Sequence, residues 1–301
     1  MTQPLILSIG EAMLELSPAD QPALWHSGYA GDTLNTAWYL RRILGADWRV
    51  GYLSRVGMGA FSQGMLDFLD AEGIETTHIT RDPAREIGLY AISLKDGERS
   101  FAYWRDNSAA RGLADDPALL DRALAGCKLA YLSGITMAIL PPAGRAALLD
   151  ALAAARASGT VVVFDPNLRP RLWADAATMR AGVEGAAAGA DLVFPSFDDE
   201  ATHFGDADMG ATISRYLGLG ARHVVVKNGG GPMAYGGADG TGRIDGLVPE
   251  AAVDTTAAGD SFNAGYLAAW LDGEDCEGAI RAGHALSQQV IRRRGALVPV
   301  G

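Results

Sequence analysis

The sequence predicts an α/β fold, a doubly wound and mostly parallel sheet flanked by helices, with a small antiparallel β lid. Short runs rich in β-branched residues alternate along the chain with longer runs of helical spacing, which is typical of βαβ units. Runs such as VVVFD and HVVVK are apolar at consecutive positions, as in strands that helices cover on both faces. Two segments, residues 12–29 and 87–105, break the alternation and predict the lid.

Short apolar runs that end in turn residues predict six strands: LILSIG, RVGYLSRVG, LAYLSG, VVVFD, LVFPS and HVVVK. Helical spacing predicts helices between and after them, over residues 34–44, 61–72, 142–158, 179–188, 209–218 and 263–271. No linker rich in Pro, Ser or charge divides the chain. We therefore expect a single domain over residues 1–301.

The lid is expected to be discontinuous in sequence. In residues 87–105, the pair Asp96-Gly97 supplies the positive φ angles of a tight hairpin turn. Residues 12–29 contain Pro18 and Pro22 and lack a helical period. Both segments are expected to be antiparallel additions to the parallel core, and a small sheet of this kind could cover a site.

The composition excludes several classes of protein. With 36 acidic and 25 basic residues, the formal charge is −11, which disfavours nucleic-acid binding because phosphate backbones are repelled. The longest uncharged stretch, Leu129 to Gly144, is broken by two prolines and is too short to span a membrane. No Lys or Arg precedes Arg41, so the positive start of a secretory signal is missing, and we expect a cytoplasmic protein.

The clearest motif is VDTTAAGDSF at residues 253–262, directly before an apolar helical pattern. Small residues before a helix allow backbone N–H groups to converge on an anion, and the helix dipole adds positive potential there. Asp260 would lie in the first turn of that helix. A carboxylate in this place is ordinarily a helix cap, and the alternative is a catalytic base.

Further polar residues follow predicted strands at their carboxyl ends, where open α/β sheets bind ligands. Singly, each fits a turn, a helix cap or a loop, and only their joint placement indicates a site. They are Asn167 and Arg169 after VVVFD, Ser196 and Asp199 after LVF, and Lys227, Gly229, Gly230 and Gly231 after HVVV.

Two regions together resemble a known family. DTTAAGDSFNAGYL is similar to the C-terminal signature of the ribokinase-like (PfkB) carbohydrate kinases, whose usual form is DTxGAGD. GDTLNTA at residues 31–37, followed by LSRVG at 53–57, resembles the family's GGxxxNxAxxL and the VG turn after it. The resemblance covers nearly the whole chain. Within the family, GEAMLEL, FAYWRDNSAAR and the Ala-Ala form of the signature are most similar to 2-keto-3-deoxygluconate kinases.

The resemblance implies an enzyme that transfers phosphate from ATP to the 6-hydroxyl of 2-keto-3-deoxygluconate. It implies that Asp260 is the base, beside an anion hole formed by the N–H groups of Ala257, Ala258, Gly259 and Asp260. The residues that it implies for ATP are Asn167, Arg169, Ser196, Lys227, Gly229, Gly230 and Gly231.

Metal ions are implied in two places. Asp199 stands where the family places an acid that organises Mg²⁺ through water, and Asp254 and Thr256 could supply oxygens to a monovalent cation such as K⁺. Ala257 stands where the family usually has Gly. We therefore expect the loop at 257 to accept a Cβ, because a positive φ there would be costly for alanine.

Substrate recognition is expected to rest on Tyr90, Tyr103, Arg105 and Arg169, with Gly31, Asp32, Asn35 and Asp260 for the sugar hydroxyls. If residues 103–105 lie on a strand, Tyr103 and Arg105 share the face of the lid that looks into the cleft. A guanidinium matches the carboxylate of a sugar acid. Alternatively, Arg105 pairs with Asp106 or with another surface acid.

Other functions stay open. A fructokinase or ribokinase would act on a neutral sugar. A nicotinamide-dependent oxidoreductase would need GxGxxG after the first strand, which is missing, and the anion-hole segment with Asp260 disfavours a non-catalytic sugar-binding protein. The expected partners are a sugar acid and ATP, with no nucleic acid and no membrane. Apolar lid residues such as Trp25 and Tyr29 favour a homo-oligomer.

Overall fold

The computed structural model describes residues 3–19, 21, 23–95, 98–238 and 240–300. The described strands are β1 (Leu5–Ile9), β2 (Met13–Pro18), β3 (Trp25–Ala30), β4 (Arg49–Val56), β5 (Ile79–Arg81), β6 (Gly88–Lys95), β7 (Glu98–Trp104), β8 (Cys127–Ser133), β9 (Val161–Asp165), β10 (Leu192–Val193), β11 (His223–Val226), β12 (Met233–Gly237) and β13 (Gly240–Ile244).

The described α-helices are α1 (Asp32–Ile43), α2 (Ala60–Ala71), α3 (Pro117–Leu124), α4 (Gly134–Ile139), α5 (Pro142–Ala157), α6 (Ala176–Ala188), α7 (Phe197–Phe204), α8 (Met209–Leu219), α9 (Ala258–Leu271) and α10 (Cys276–Ile291). Among the described residues, no helix is both long enough and apolar enough to cross a membrane.

The large sheet has nine strands in the order β13-β12-β11-β10-β9-β8-β1-β4-β5. The strands from β11 to β5 in this order are parallel, and β12 and β13 add an antiparallel hairpin at one edge. Helices cover both faces. Leu7 of β1 packs in a core with Leu148 and Val183 from α5 and α6, whereas its neighbour Ile6 packs with Leu34 and Phe262 from α1 and α9. The predicted doubly wound architecture is confirmed.

A second sheet, the lid sheet, has four strands in the order β3-β2-β6-β7. Within each hairpin, β2–β3 and β6–β7, the pairing is antiparallel, as predicted. The two hairpins are joined by a parallel pairing of β2 with β6, which we do not predict from the sequence. The expected Asp96-Gly97 turn lies outside the described residues.

All six predicted strands and all six predicted helices are present. The sequence prediction does not include β5, β12, β13 or the helices α3, α4, α7 and α10. Helix α10 nevertheless carries a usable start signal, because Asp275 caps it by accepting a hydrogen bond from the amide of Gly278 at 2.8 Å. The statement that the whole chain is one domain stays a prediction.

The residue before α9 has an unusual backbone. Ala257 has φ 59° and ψ 16°, the left-handed region, so the expectation that the loop suits a Cβ there is wrong. The turn is held from both sides. The carboxylate of Asp254 accepts hydrogen bonds from the amide and the hydroxyl of Thr256, at 3.1 and 2.7 Å, and the amide of Ser261 donates to the carbonyl of Ala257 at 2.9 Å. These contacts maintain a conformation that costs an alanine about 1–2 kcal/mol.

We expect Ala257→Gly to raise the melting temperature, because glycine adopts this conformation without strain. The gain is reduced by the larger entropy of glycine in the unfolded chain, so the net effect on the free energy of unfolding should be roughly 0.5 kcal/mol. The matched control is Ala258→Gly, one residue later and inside the helix, which should lower stability. Thermal unfolding of both variants tests this, and a lower melting temperature for Ala257→Gly would contradict it.

Candidate active site

The predicted site residues gather where the carboxyl ends of the parallel strands meet the N-termini of α1 and α9. The chain reaches this edge of the sheet after β1, β8, β9 and β11. Gly31 precedes α1, and a Cβ built on it would lie 2.3 Å from the carbonyl oxygen of Glu11. Only glycine therefore lets the start of α1 approach the end of β1 so closely.

Asp260 is the third residue of α9 and lies half-buried at this edge. It does not cap the helix. Its Oδ2 instead accepts a hydrogen bond from Nδ2 of Asn35 on α1 at 2.7 Å. Burial, reinforced by the nearby carboxylate of Asp32, raises the pKa of Asp260 to about 8, although the Asn35 hydrogen bond acts against this. A carboxylate with such a pKa can accept and release a proton near neutral pH.

The first turn of α1 links α9 to β9. Asn167, which follows β9, donates a hydrogen bond from Nδ2 to Oδ2 of Asp32 at 2.7 Å. The hydroxyl of Thr36 donates to the carbonyl of Asp260 at 3.2 Å. The structure thus brings Asp32, Asn35, Asn167 and Asp260 into one hydrogen-bonded group.

The predicted anion hole loses one of its donors. The amide of Ala258 donates to the carbonyl of Thr255 at 3.1 Å, so this N–H group is used inside the loop. The amides of Gly259 and Asp260 lie in the first turn of α9, where an α-helix offers them no acceptor. An anion placed here would receive these amides and the positive end of the helix dipole.

Lys227, predicted for ATP, points into the protein rather than into open solvent. Its ammonium is 2.9 Å from Oδ2 of Asp165 and 3.3 Å from Oδ1 of Asn263, and all three side chains are buried. A Cβ on Gly259 would lie 3.6 Å from this ammonium. The positive charge therefore lies directly beneath the first turn of α9.

Arg105 departs from the prediction. Strand β7 ends at Trp104, and Arg105 does not share an exposed face with Tyr103: Tyr103 is 53% exposed and Arg105 only 7%. The guanidinium forms a buried ion pair through Nη2 with Glu11, the residue that follows Gly10 after β1. The Nε of Arg105 and Oε1 of Glu11 are also buried and have no hydrogen-bond partner among the described residues. Arg105 thus pairs with an acid, as in the alternative, but this acid is buried and is neither Asp106 nor another surface residue.

The two predicted tyrosines lie on the same face of the lid sheet. Tyr90 and Tyr103 are cross-strand partners with ring centroids 5.8 Å apart. Tyr90 is buried and donates its hydroxyl to Glu15 of β2. Met13 and Tyr90 of this face belong to a small apolar cluster against which Ala257 packs, so the face looks towards the start of α9.

The other residues predicted for ATP and Mg²⁺ lie at the ends of β9, β10 and β11. Arg169 is exposed, and its charge counteracts the burial that raises the pKa of Asp199. The carboxylate of Asp199 receives no hydrogen bond within the described part of the chain. The backbone of Ser196 forms an isolated parallel β-bridge with that of Lys227. Residues 228–231 form a turn, which is closed by a 2.8 Å hydrogen bond from the amide of Gly231 to the carbonyl of Asn228.

Asp254 and Thr256, predicted for a monovalent cation, contact each other and the C-terminal segment. Oδ2 of Asp254 accepts a hydrogen bond from the amide of Gly295 at 2.7 Å, in addition to the bonds from Thr256. The pair therefore ties the loop before α9 to the end of the chain.

Several site residues escape the sequence prediction, among them Glu11, Tyr131, Asp165 and Asn263. Two of these had a signal. Asp165 ends the strand VVVFD, two residues before Asn167, and Asn263 follows Asp260 by three residues and so lies on the same side of α9. Tyr131 and Glu11 have none, because each lies in or beside an apolar strand that reads as core.

The chain is similar over nearly its full length to one family of known proteins. The profile described as pfkB family carbohydrate kinase matches residues 3–300. The chain is 40% identical to the 2-dehydro-3-deoxygluconokinase of Escherichia coli (strain K12), over 98% of this chain and 97% of that protein. It is 39% identical to the enzyme of the same name from Dickeya dadantii (strain 3937), over 100% and 98% of the two chains.

Among solved structures, the PfkB protein from Polaromonas sp. JS666 matches with a TM-score of 0.82 and 30% identity, and 96% of each chain is covered. The match therefore extends over most of the chain in both sequence and fold. The chain belongs to the pfkB family of carbohydrate kinases.

Proposed function

We propose that this protein is a 2-dehydro-3-deoxygluconokinase, which transfers the γ-phosphoryl group of ATP to the 6-hydroxyl of 2-keto-3-deoxygluconate. The observation that carries the proposal is the carboxylate of Asp260, held by Asn35 at the start of α9 beside free first-turn amides. The identity of about 40% to enzymes of this name, over nearly the full length, supports the choice of substrate.

In the proposed reaction, the oxygen of the sugar 6-hydroxyl attacks the γ-phosphorus of ATP, and Asp260 accepts the proton of that hydroxyl. The bond between this phosphorus and the β–γ bridging oxygen breaks, and ADP leaves with the electron pair. Asp260 then releases the proton to water. Its raised pKa suits this role, since a base is most effective when its pKa lies near the working pH.

The transferred phosphoryl group carries negative charge that the protein has to stabilise. The amides of Gly259 and Asp260, the dipole of α9 and the buried ammonium of Lys227 all provide positive potential at one place. Within the described residues, no three Asp, Glu, His or Cys side chains are grouped closely enough to chelate a metal. Mg²⁺ would accompany the nucleotide and offset its charge, with Asp199 holding it through water.

Arg105 is the group that we propose for the carboxylate of the sugar acid, with Tyr103, Tyr90 and Arg169 assisting. The buried Nε of Arg105 has no acceptor in the part of the chain that the structure describes, and a buried donor without a partner costs about 1–3 kcal/mol. A substrate carboxylate would supply that acceptor. Fructose or ribose has no such group, so this contact would separate the proposed function from a fructokinase or ribokinase.

The remaining assignments also belong to this proposal. Asn167, Ser196 and the turn at 228–231 would bind ATP, and Gly31, Asp32 and Asn35 the sugar hydroxyls. Asp254 and Thr256 would hold K⁺. Because ATP is the donor, we expect the enzyme to act in the cytoplasm. The exposed rings of Trp25 and Trp104 on the lid sheet favour association with a second copy, whereas Tyr29 already packs on Phe68 of α2.

We expect Asp260→Asn to reduce turnover by a factor on the order of 10² to 10⁴, because the base is lost while the amides remain. Stability should not fall. The pKa of Asp260 is higher in the folded protein than in the unfolded chain, so ionisation of this carboxyl opposes folding, and the amide removes that opposition. Steady-state kinetics at saturating substrate and thermal unfolding at pH 8 test both statements. A variant that keeps a third of wild-type turnover would show that Asp260 is not the base.

We expect Arg105→Ala to lower kcat/KM at least tenfold for 2-keto-3-deoxygluconate and much less for fructose, since a charge-assisted contact contributes about 1.5–3 kcal/mol. Arg105→Lys should restore only part of the loss, because an ammonium cannot reproduce the planar guanidinium. The double variant Glu11→Gln/Arg105→Ala controls for the unpaired acid. Preference of the wild type for fructose, or equal losses on all sugars, would favour the fructokinase alternative.

We expect the lid sheet to close over bound sugar and exclude water, which would otherwise accept the phosphoryl group. Hydrogen exchange in residues 12–29 and 87–105 should slow when substrate and a nonhydrolysable ATP analogue are added. Peptides from α5, on the covered far face of the large sheet, serve as the reference. Unchanged exchange in both lid segments at saturation would rule out closure.

A further inference from the structure

A buried polar cluster lies beneath the first turn of α9, and two of its members have no role in the reaction proposed above. Oδ2 of Asp165 accepts hydrogen bonds from Nζ of Lys227 at 2.9 Å and from Nδ2 of Asn263 at 2.6 Å. Oδ1 of Asn263 in turn accepts from Lys227 at 3.3 Å. These three side chains, from the end of β9, the end of β11 and from α9, are all buried.

The ammonium of Lys227 has one N–H group beyond its two side-chain contacts with the described residues. An ammonium has three N–H groups, and the contacts to Asp165 and Asn263 use two of them. The nitrogen lies 3.6 Å from the position that a Cβ of Gly259 would occupy. The ammonium nitrogen therefore lies next to the first turn of α9, within reach of an anion bound there.

We propose that Asp165 is a positioning residue for the kinase reaction: it holds the Lys227 ammonium beneath the anion-binding turn, where that charge stabilises the phosphoryl group in transfer. The inference rests on the proposed function and on Asp260 as its base.

A buried lysine needs such a partner. Without the contact to Asp165, the ammonium would lose the charged acceptor that holds it beneath the turn, and its charge would no longer be fixed where phosphoryl transfer requires it. Asp165 is itself fixed, since its Oδ1 accepts a hydrogen bond from the amide of Asn167 at 3.1 Å. The rigid end of β9 therefore determines where the charge of Lys227 lies.

The cluster is also connected to Asp260. Asn263 donates a hydrogen bond to the hydroxyl of Tyr131 at 2.9 Å. Thr36 lies between Tyr131 and Asp260, and its hydroxyl is 3.3 Å from the hydroxyl of Tyr131 and 3.2 Å from the carbonyl oxygen of Asp260. A substitution of Asp165 should therefore change the environment and the titration of Asp260.

The charges around Asp260 make this coupling measurable. Asp32 from α1 and Asp165 from β9 raise its pKa, whereas Lys227 and the Asn35 hydrogen bond lower it. Burial raises the pKa of the hydroxyls of Tyr39 from α1, Tyr131 from β8 and Tyr90 from the lid sheet, the charge of Asp260 adds to this, and all three hydroxyls stay neutral. Asp165 and Lys227 thus shift the pKa of Asp260 in opposite directions, and a variant that removes one of them leaves the shift caused by the other.

The experiment is the pH dependence of kcat/KM for the sugar at saturating MgATP, with Asp165→Asn, Lys227→Met and the double variant. The wild type should lose activity as the pH falls through the pKa of Asp260. This loss of activity is the acidic limb of the pH profile. Asp165→Asn should move the acidic limb to lower pH and Lys227→Met should move it to higher pH, each by about half a pH unit or more. The acidic limb of the double variant should lie between those of the two single variants. Turnover should fall about tenfold or more in each single variant.

The matched control is Asp191→Asn. Asp191 is also buried and paired with an arginine, Arg156 at 2.9 Å, but it precedes β10 at the opposite edge of the sheet. It should lower the melting temperature without moving the pH limb.

Superimposable pH limbs for wild type, Asp165→Asn and Lys227→Met would overturn the inference, as would shifts in the same direction. Should Asp165→Asn prove too unstable to assay, Lys227→Met and the double variant still decide, because their limbs must differ. A wild type inactive on the sugar, or an active Asp260→Asn, would instead refute the proposed function.

Discussion

The arrangement of the cleft depends on keeping several carboxylates close together away from water. Asp32, Asp165 and Asp260 come from three elements that meet at one edge of the sheet, and each would repel the others if it were unpaired. Amide side chains and one ammonium offset this repulsion: Asn167 donates to Asp32, Asn35 to Asp260, and Lys227 to Asp165. These donors lie on α1 and just after β9 and β11. The charge balance of the site therefore depends on how these three elements pack together.

The same constraint explains why the loop before α9 tolerates strain. The first-turn amides must face the cleft, and the turn that places them there forces Ala257 into the left-handed region. Asp254 stabilises this strained turn by accepting hydrogen bonds from Thr256 and from the amide of Gly295. A carboxylate far from the reacting atoms thereby fixes the geometry of the helix start, and this makes the C-terminal segment part of the support of the site.

Much of the fold can be predicted from the sequence, because strand and helix periods are local properties. The runs VVVFD and HVVVK predict parallel strands, and their carboxyl ends predict where polar residues gather. Partner choice is different. Asn35 and Asp260 are 225 positions apart and Glu11 and Arg105 are 94 apart, and no periodicity specifies such pairs. Arg105 shows the effect, since strand alternation placed it beside Tyr103 on the face of the lid that looks into the cleft. Strand β7 instead ends at Trp104, and Arg105 pairs with the buried Glu11 after β1.

The parallel pairing of β2 with β6 also constrains the order in which the chain can assemble. The β2–β3 hairpin is complete by Ala30, but its second neighbour, β6, begins only at Gly88. During synthesis, one edge of β2 therefore stays unpaired while α1, β4 and α2 are made. In that interval Leu14 and Leu16 lie on a hairpin that has no third strand. Two-stranded ribbons are marginal in water, so this part of the molecule should become ordered late, after the large sheet has begun to form around β1. The segment that is first to leave the ribosome after β1 would thus be among the last to reach its native neighbours.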